Sequence, residues 1–248
     1  ALLLVADGAN SRLCRCLGVE LTEKLYDQHA VVANVATSLP HGGCAFERFT
    51  DEGPLAMLPL PAAAGAEHRC ALVWTLPPER AASMRDCSEQ AFLAQLQRAF
   101  GYRLGRLRAV SARHSYPLAL TRAREQVRQG IVVMGNAAHA LHPVAGQGYN
   151  LALRDIAGLA TVLAQGLQAG DALGELSSLR RYQNHQHADQ ARTIGFSDRV
   201  PELFMHADPL LGVGRDIALA GLDLLPAAKR EFVRHAAGVA ALKEHPYG

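Results

Sequence analysis

The chain has 248 residues, of which 49% are hydrophobic and 19% are charged, and this composition excludes a disordered, collagen-like or small disulfide-rich protein. Its 25 Lys and Arg residues nearly balance 23 Asp and Glu residues, so the net charge of +2 gives no reason to expect nucleic acid as a partner. The composition predicts one or two globular domains with a substantial core.

Cysteine usage and hydropathy restrict the class of protein further. The five cysteines lack the paired spacing of zinc ligands, so we predict a reduced chain without a metal site. A reduced chain predicts a cytoplasmic location. No apolar run reaches the roughly 18 to 20 residues that cross a bilayer, so we expect a protein that is soluble or at most associated with a membrane. The chain begins without Met inside an apolar run, which suggests a fragment of a longer protein.

The first predicted element is a strand at residues 2–6, where a wholly apolar run ends at Asp7 and Gly8. A short apolar run that ends in a turn is typical of a parallel strand buried on both faces. Residues 10–12 then begin a short helix.

An antiparallel sheet is predicted next, because four short β-rich runs are separated by Pro, Gly and Asp turns. The runs are residues 30–37, 44–49, 55–60 and 70–75. Pro77 and Pro78 end the sheet. Ser88 caps a helix that extends to about Phe100, and residues 110–118 form one further strand.

The remaining part of the chain returns to a strand followed by helices. A second apolar strand, residues 131–134, precedes a long helix over residues 147–165. After Gly170 the pattern is helical throughout. Its predicted breaks are Pro201, Pro209 and Pro226.

The predicted fold class is α/β, with an antiparallel sheet inserted into one α/β unit and helices at the end. Residues 1–25 and 123–170 are each too small to close a core, so we predict that they form one unit with both apolar strands in the same sheet. Residues 26–122 form the inserted sheet domain, and residues 171–248 form the C-terminal helices.

Residues suited to binding a ligand follow both apolar strands. A tight turn and a capped helix explain Asp7 and Gly8 as well as a ligand does. After the second strand, Gly135 lets the backbone pass close to a ligand, and Asn136 offers an amide at the carboxyl edge of the sheet.

The start of the long helix is the third candidate. Gly146 and Gly148 flank Gln147 and leave the first turn largely without side chains. Its unpaired N–H groups and positive dipole end can therefore face an electron-rich or anionic group. The inserted sheet would then form the far wall of an enclosed pocket.

Two motifs carry a resemblance to a known family. They are Asp7-Gly8-x-x-Ser11-Arg12, and Gly135-Asn136-Ala137-Ala138-His139 with His142-Pro143-x-Ala145-Gly146-Gln147-Gly148-x-Asn150-Leu151-x-x-x-Asp155. Both resemble flavin fingerprints of the class A flavoprotein aromatic hydroxylases, and the second resembles their ubiquinone-biosynthesis branch, of the 2-octaprenyl-6-methoxyphenol hydroxylase type. The strong match covers about residues 1–18 and 128–165.

This resemblance implies FAD as the cofactor, NAD(P)H as the co-substrate, and transfer of an oxygen atom from O2 to a phenol. It implies that Asp7 and Arg12 support the FAD pyrophosphate region and the nicotinamide nucleotide. It places Asn136 at the ribityl or pyrophosphate region and Pro143 beside the isoalloxazine. The other implied cofactor-binding positions are Gly8, Gly135, Gly146, Gln147, Gly148 and Asn150.

The family begins with a Rossmann strand and a GxGxxG motif that hold the ADP half of FAD, and neither precedes Asp7 here. The resemblance therefore implies the C-terminal part of a longer hydroxylase. We expect this chain alone to carry little flavin.

The substrate is predicted from the inserted sheet, whose runs 31–35, 56–60 and 71–74 are largely apolar. They favour a polyprenylated phenol of the quinone pathway over a small aromatic acid. Arg48 and Arg113 are the candidates for binding a carboxylate, and surface positions at strand ends explain both equally well. A flavin monooxygenase that acts on a non-quinone aromatic, or a flavoprotein-fold fragment without activity, stays open.

The sequence singles out no catalytic acid or base, although His114 and Tyr116 lie where a substrate contact is conceivable. We expect His139 and His142 to make polar contacts rather than bind a metal. Apolar stretches such as residues 203–205 and 222–225 leave open a peripheral contact with the inner membrane, or assembly with other ubiquinone-biosynthesis proteins.

Overall fold

A computed structural model describes residues 1–63, 67–143, 146–205, 225–227 and 229–230. Of residues 201–205 it describes the backbone only. The strands are β1 (Leu3–Val5), β2 (Leu21–Thr37), β3 (Phe46–Thr50), β4 (Gly53–Leu60), β5 (Arg69–Leu76), β6 (Leu107–Val110), β7 (His114–Ala123), β8 (Val127–Arg128), β9 (Ile131–Val133) and β10 (His139–Ala140). The helices are α1 (Arg12–Cys16), α2 (Pro78–Asp86), α3 (Glu89–Phe100), α4 (Gln147–Gln168) and α5 (Leu176–Met205), with a 3₁₀ turn at Gly135–Ala137.

The described chain up to residue 200 divides into two compact units. Unit 1 comprises Ala1–Lys24 and Ala119–Val200, and unit 2 comprises Leu25–Leu118. The boundaries therefore fall inside β2 and β7.

Unit 1 contains a three-stranded sheet in the order β1-β9-β8. β1 runs parallel to β9, with Leu3 opposite Ile131 and Val5 opposite Val133, and β8 runs antiparallel to β9. The expectation that the two apolar strands share a sheet is therefore confirmed. Because the strands are parallel, the loops that follow Val5 and Val133 begin at the same edge of the sheet.

The prediction that β1 is buried on both faces is wrong. Leu3 is 43% exposed and Leu4 is 47% exposed, whereas Val5 is fully buried. The reason lies in the order of the strands, since β9 is central and β1 is at the edge. The cluster that packs α4 and α5 on the sheet includes Val132 and Met134 of the central segment but not Leu4.

The two long helices of unit 1 follow the predicted pattern with one exception. α4 begins at Gln147 as predicted and extends to Gln168. α5 continues through Pro201, so the predicted break there is wrong; a proline removes one backbone hydrogen bond, and the flanking turns keep theirs. Pro209 lies outside the described residues.

Unit 2 is built on an antiparallel sheet in which β2, β5, β4 and β3 are neighbours in that order. All four predicted strands are confirmed, and β2 begins earlier than predicted, at Leu21. The strand expected at residues 110–118 is wrong in its bounds, because β6 and β7 are separate strands. The sequence reasoning also missed α2, which has Pro78 in its first turn, where proline is tolerated.

The two faces of this sheet differ in their cover. One face packs against α2 and α3 and forms the core of unit 2, where Trp74 meets Phe92 edge to face at a centroid distance of 6.0 Å. The other face carries half-buried or exposed side chains that are mostly small and apolar. They include Val32, Asn34, Ala56, Leu58, Ala71 and Val73, and the half-buried Arg69 lies on the same face at the start of β5.

We predict that Arg113 stabilises unit 2 rather than binding a carboxylate. Its guanidinium donates to the carbonyl oxygens of Met84 (3.0 Å) and Cys87 (2.6 Å) and lies over the Phe92 ring at 5.1 Å. Arg113→Ala should therefore lower the free energy of unfolding by about 2 kcal/mol in urea titrations. Arg108, which is exposed on β6, provides the control variant Arg108→Ala. Equal stability of the two variants would contradict this role.

Candidate functional site

The Asp7 carboxylate lies directly after β1 and caps the start of α1. The Ser11 hydroxyl donates to Asp7 Oδ1 at 2.5 Å, and the Leu13 N–H donates to Asp7 Oδ2 at 3.1 Å. The hydrogen bond from Ser11 is the main cause that holds the pKa of Asp7 below its ordinary value. The Asp7 side chain is therefore an exposed, ionised carboxylate that fixes the shape of this turn.

The 3₁₀ turn at Gly135–Ala137 follows the neighbouring strand β9. Gly135 has a φ of +57°, in the region that favours glycine, and its carbonyl accepts from the Ala138 N–H at 3.0 Å. Ala137 and Ala138 are buried in a cluster with Val5. The Asn136 side chain, by contrast, is exposed, so its amide is accessible at this edge of the sheet.

α4 begins beside this 3₁₀ turn, with which it is in contact. Its N-cap is Gly146, in the left-handed conformation with φ +63°, and no side chain caps the helix. The first turn contains no acidic residue, so the positive end of the helix dipole is not compensated by a side chain there. Gln147 is only 3% exposed, which leaves mainly backbone at the helix start.

Three glycines of unit 1 leave open space next to this backbone. A Cβ built on Gly8, Gly135 or Gly146 meets no heavy atom within 4 Å. All three have positive φ values, so larger residues are disfavoured on conformational grounds as well. Bare N–H groups beside open space at the carboxyl edge of a sheet fit a phosphate-containing ligand such as a flavin nucleotide.

The other implied cofactor positions lie near these loops in the chain. Arg12 is exposed. Its backbone bonds to Asp7, whereas its guanidinium makes no hydrogen bond or ion pair with the described residues. Pro143 is exposed and Asn150 is half-buried in the first turns of α4. A Cβ on Gly148 would lie 3.9 Å from Leu141 Cβ, which is an ordinary contact.

A buried polar pair between β10 and α4 was missed by the sequence reasoning. His139 Nε2 lies 2.8 Å from Asp155 Oδ2, and both side chains are 0% exposed. A signal was available, because Asp155 falls on the same helix face as the buried Leu151 and Leu159. A carboxylate on an apolar face needs a partner.

The polar contacts continue from Asp155 to α5. Gln190 Nε2 donates to Asp155 Oδ1 at 3.0 Å, and the Gln190 and Gln126 amides bond each other reciprocally. The Tyr182 hydroxyl is buried without a hydrogen-bond partner among the described residues. Burial, and to a smaller extent the Asp155 carboxylate, raises the pKa of Tyr182.

His142 is the second buried imidazole of this region. Burial lowers its pKa from 6.5 to about 4, against a smaller opposing effect of the Asp198 carboxylate. His142 is therefore neutral at neutral pH. Within the described ranges, no three His, Cys, Asp or Glu side chains form a group that could hold a metal ion.

Unit 2 contains a cavity of about 400 Å³ on the side of the sheet that carries the helices. Its lining includes Arg48, Glu52, Trp74, Arg80, Gln95 and Arg98. Two of these cations are engaged, because Arg80 pairs with Glu52 at 2.8 Å and Arg48 donates to the Phe100 carbonyl at 3.3 Å. The cavity is thus polar, unlike the opposite face of the sheet.

Comparison with known families identifies the chain. The FAD binding domain family matches residues 1–196. The chain belongs to this family. The match includes all three loops described above, so the family assignment and the bare backbone at the sheet edge agree.

Two individual relatives within reach of sequence comparison are hydroxylases by name. Ubiquinone hydroxylase UbiL of Rhodospirillum rubrum is 34% identical over 245 residues, which cover 99% of this chain and 56% of the relative. The 3-demethoxyubiquinol 3-hydroxylase of Escherichia coli is 30% identical, over 96% of this chain and 59% of its own length. The chain therefore spans just over half of the length of these relatives.

The fold is shared with solved structures at lower identity. The Diels-Alderase PyrE3 of pyrroindomycin biosynthesis superposes with a TM-score of 0.70 at 21% identity, over 96% of this chain and 50% of the other. This likeness concerns the fold alone. Among the described helices, none combines the length and the apolar character that crossing a membrane requires.

We predict that His142 makes the protein sensitive to acid. Its pKa is lower in the folded than in the unfolded state, so its contribution is complete above pH 6.5 and is lost as the pH falls toward 4. When the pH is lowered from 7 to 5, the free energy of unfolding of the unmodified protein should fall by about 2 kcal/mol more than that of His142→Gln, which has no imidazole to protonate. His185→Gln, at an exposed site on α5, is the control. An equal loss in all three proteins would contradict the prediction.

Proposed function

We propose that this chain is part of an FAD-dependent monooxygenase that uses NAD(P)H and O2 to hydroxylate a polyprenylated phenol in ubiquinone biosynthesis. The observation that carries the proposal is the convergence of three glycine loops at one edge of unit 1 in a member of the FAD binding domain family. The names of the two ubiquinone hydroxylase relatives support the substrate class. When bound, FAD supplies the redox chemistry that activates O2.

The flavin site consists of backbone and a few polar side chains. The Gly8 and Gly135 turns let the cofactor approach the main chain, and Asn136 offers an amide that both donates and accepts. The exposed Arg12 guanidinium is suited to the pyrophosphate, because it is not engaged with another described residue. Asp7 holds the turn that presents Gly8 and Arg12.

The start of α4 stabilises negative charge on the bound cofactor. Gly146 to Gly148 present main-chain N–H groups at the positive end of the helix dipole. Donors that are fixed before charge develops need no reorganisation during the reaction. Pro143 and Asn150, which flank this loop, complete the proposed cofactor-binding set.

The domain roles follow from this assignment. Residues 1–25 and 123–170 hold FAD, residues 26–122 bind the substrate, and residues 171–248 contribute the helices behind the flavin unit. The packing of α4 and α5 on β9 supports the last role. The helical part proposed beyond residue 205 lies mostly outside the described residues.

The substrate assignment rests on the sheet of unit 2. Its face opposite the helices carries Val32, Ala56, Leu58 and Val73, which suit a hydrocarbon tail and an aromatic ring better than a carboxylate. Arg69 shares this face, at the start of β5, and its guanidinium donates to the Pro61 carbonyl at 3.2 Å. Arg113 is engaged with backbone carbonyls instead.

A polyprenyl tail also favours a reaction at the surface of a membrane, so we propose a cytoplasmic protein in peripheral contact with the inner membrane. Other ubiquinone-biosynthesis proteins are proposed as assembly partners, because the same apolar stretches could face a protein instead of a membrane. Of the apolar stretches proposed for these contacts, the side chains of residues 203–205 and all of residues 222–224 lie outside the described residues.

We predict that Gly148→Val in the complete protein impairs FAD binding without unfolding it. A Cβ fits beside Leu141, but the branched methyl groups would occupy the space that the cofactor needs. The FAD dissociation constant should rise about tenfold or more, as judged by flavin fluorescence titration. Gly195→Val, at an open position on α5, is the matched control. Normal FAD affinity in Gly148→Val would refute the assignment of this loop.

The substrate proposal predicts a defined lipid phenotype. A strain that lacks the gene should lose ubiquinone and accumulate a prenylated phenol, because the hydroxylation step is blocked. Lipid extraction followed by mass spectrometry measures both compounds. Unchanged ubiquinone in that strain would favour a non-quinone aromatic substrate instead.

A further inference from the structure

The buried pair of His139 and Asp155 connects two of the three loops that the proposed function assigns to FAD. We propose that it is a positioning pair, which holds the start of α4 in a fixed place relative to the 3₁₀ turn at Gly135–Ala137. The inference rests on the proposed function only for its consequence, the affinity for FAD. The positional claim stands on contacts within unit 1.

Both carboxylate oxygens of Asp155 are engaged in hydrogen bonds. In the tautomer with its proton on Nε2, His139 donates to Asp155 Oδ2 over 2.8 Å. The second oxygen, Oδ1, accepts from Gln190. Both carboxylate oxygens therefore have a donor, and losing one would leave a buried acceptor without its bond.

His139 is anchored in the strand that follows the 3₁₀ turn. His139 begins β10, directly after the 3₁₀ turn, and the strand pairs with β7 through Arg122. The Ala138 carbonyl also accepts from the Ala123 N–H at 2.7 Å. His139 is therefore fixed by the same backbone bonds that fix the turn before it.

The rigidity of α4 links Asp155 to the start of the helix. Asp155 lies two turns after Gln147 on α4, and residues within one helix keep constant relative positions. Holding Asp155 thus also holds the glycines at the helix start. A buried pair with no contact to solvent can in this way determine how the N–H groups at Gly146 and Gly148 are presented.

The His139–Asp155 hydrogen bond restrains α4 in a way that its apolar contacts do not. Around Asp155, α4 contributes apolar side chains such as Leu151, Leu159 and Val162 to the core. Apolar contacts are not directional and tolerate small sliding of a helix, whereas a hydrogen bond fixes both distance and angle. His139–Asp155 is therefore suited to select one register of α4 against the turn.

The test compares three variants of the complete protein. His139→Phe keeps an aromatic ring but removes the donor, and His139→Gln retains a donor of similar reach. Val162→Ala removes buried apolar atoms from the same helix without touching the pair. Two quantities are measured, namely the FAD dissociation constant of each protein and the hydrogen exchange of the amides at residues 146–150 in the FAD-free protein.

We expect His139→Phe to weaken FAD binding by about tenfold and to accelerate exchange at residues 146–150, because the helix start is no longer held. His139→Gln and Val162→Ala should stay within about threefold of the unmodified protein in affinity. If His139→Phe does not fold, His139→Asn replaces it, since its shorter amide cannot bridge to Asp155.

Two results would overturn the positioning role. One is a His139→Phe protein whose affinity and exchange match those of Val162→Ala, which would indicate a purely structural contribution. The other is an equal loss in His139→Gln and His139→Phe, because the retained donor would then have no value. A protein that binds no FAD in any form would refute the proposed function instead, while the exchange measurement would still decide the positional claim.

Discussion

The parallel pairing of β1 with β9 is the contact on which the arrangement of unit 1 depends. Leu3 opposite Ile131 and Val5 opposite Val133 bring together segments from two distant parts of the chain. Because parallel strands end at the same edge, the Asp7 turn and the Gly135 turn become neighbours there. A one-residue slip of this register would turn Val5 out of the cluster that it shares with Val133.

Positive φ values and missing side chains then give this edge its chemistry. Where most sites position reactive side chains, this one offers main-chain N–H groups at Gly146 and open space at Gly8 and Gly135. The polar side chains nearby serve mainly to shape the backbone, as Asp7 does by accepting from Ser11 and from the first turn of α1. Such a site suits a cofactor that brings its own reactivity.

Much of this was predictable from sequence, because short apolar runs that end at a Gly turn mark strands, and Gly146 marks the start of α4. The exposure of β1 was not predictable, because it depends on which strand is central in the sheet, and the sequence does not give the strand order. His139–Asp155 could not be paired from sequence either, although both residues stand in the motif that carried the family resemblance. Propensity rules place residues on elements, but contacts between elements depend on the tertiary packing of the helices over the sheet.

The chain order of unit 1 has a consequence for its synthesis. β1 leaves the ribosome before its partner β9, which follows only after residues 25–118 of unit 2 have been translated. Strands so far apart in sequence pair slowly, whereas β4 and β5 are neighbours in sequence and can pair early. Until β9 is translated, the apolar segment of Leu3, Leu4 and Val5 lacks this partner strand. A nascent chain that stalls within unit 2 therefore cannot complete the sheet edge that presents the Asp7 and Gly135 turns.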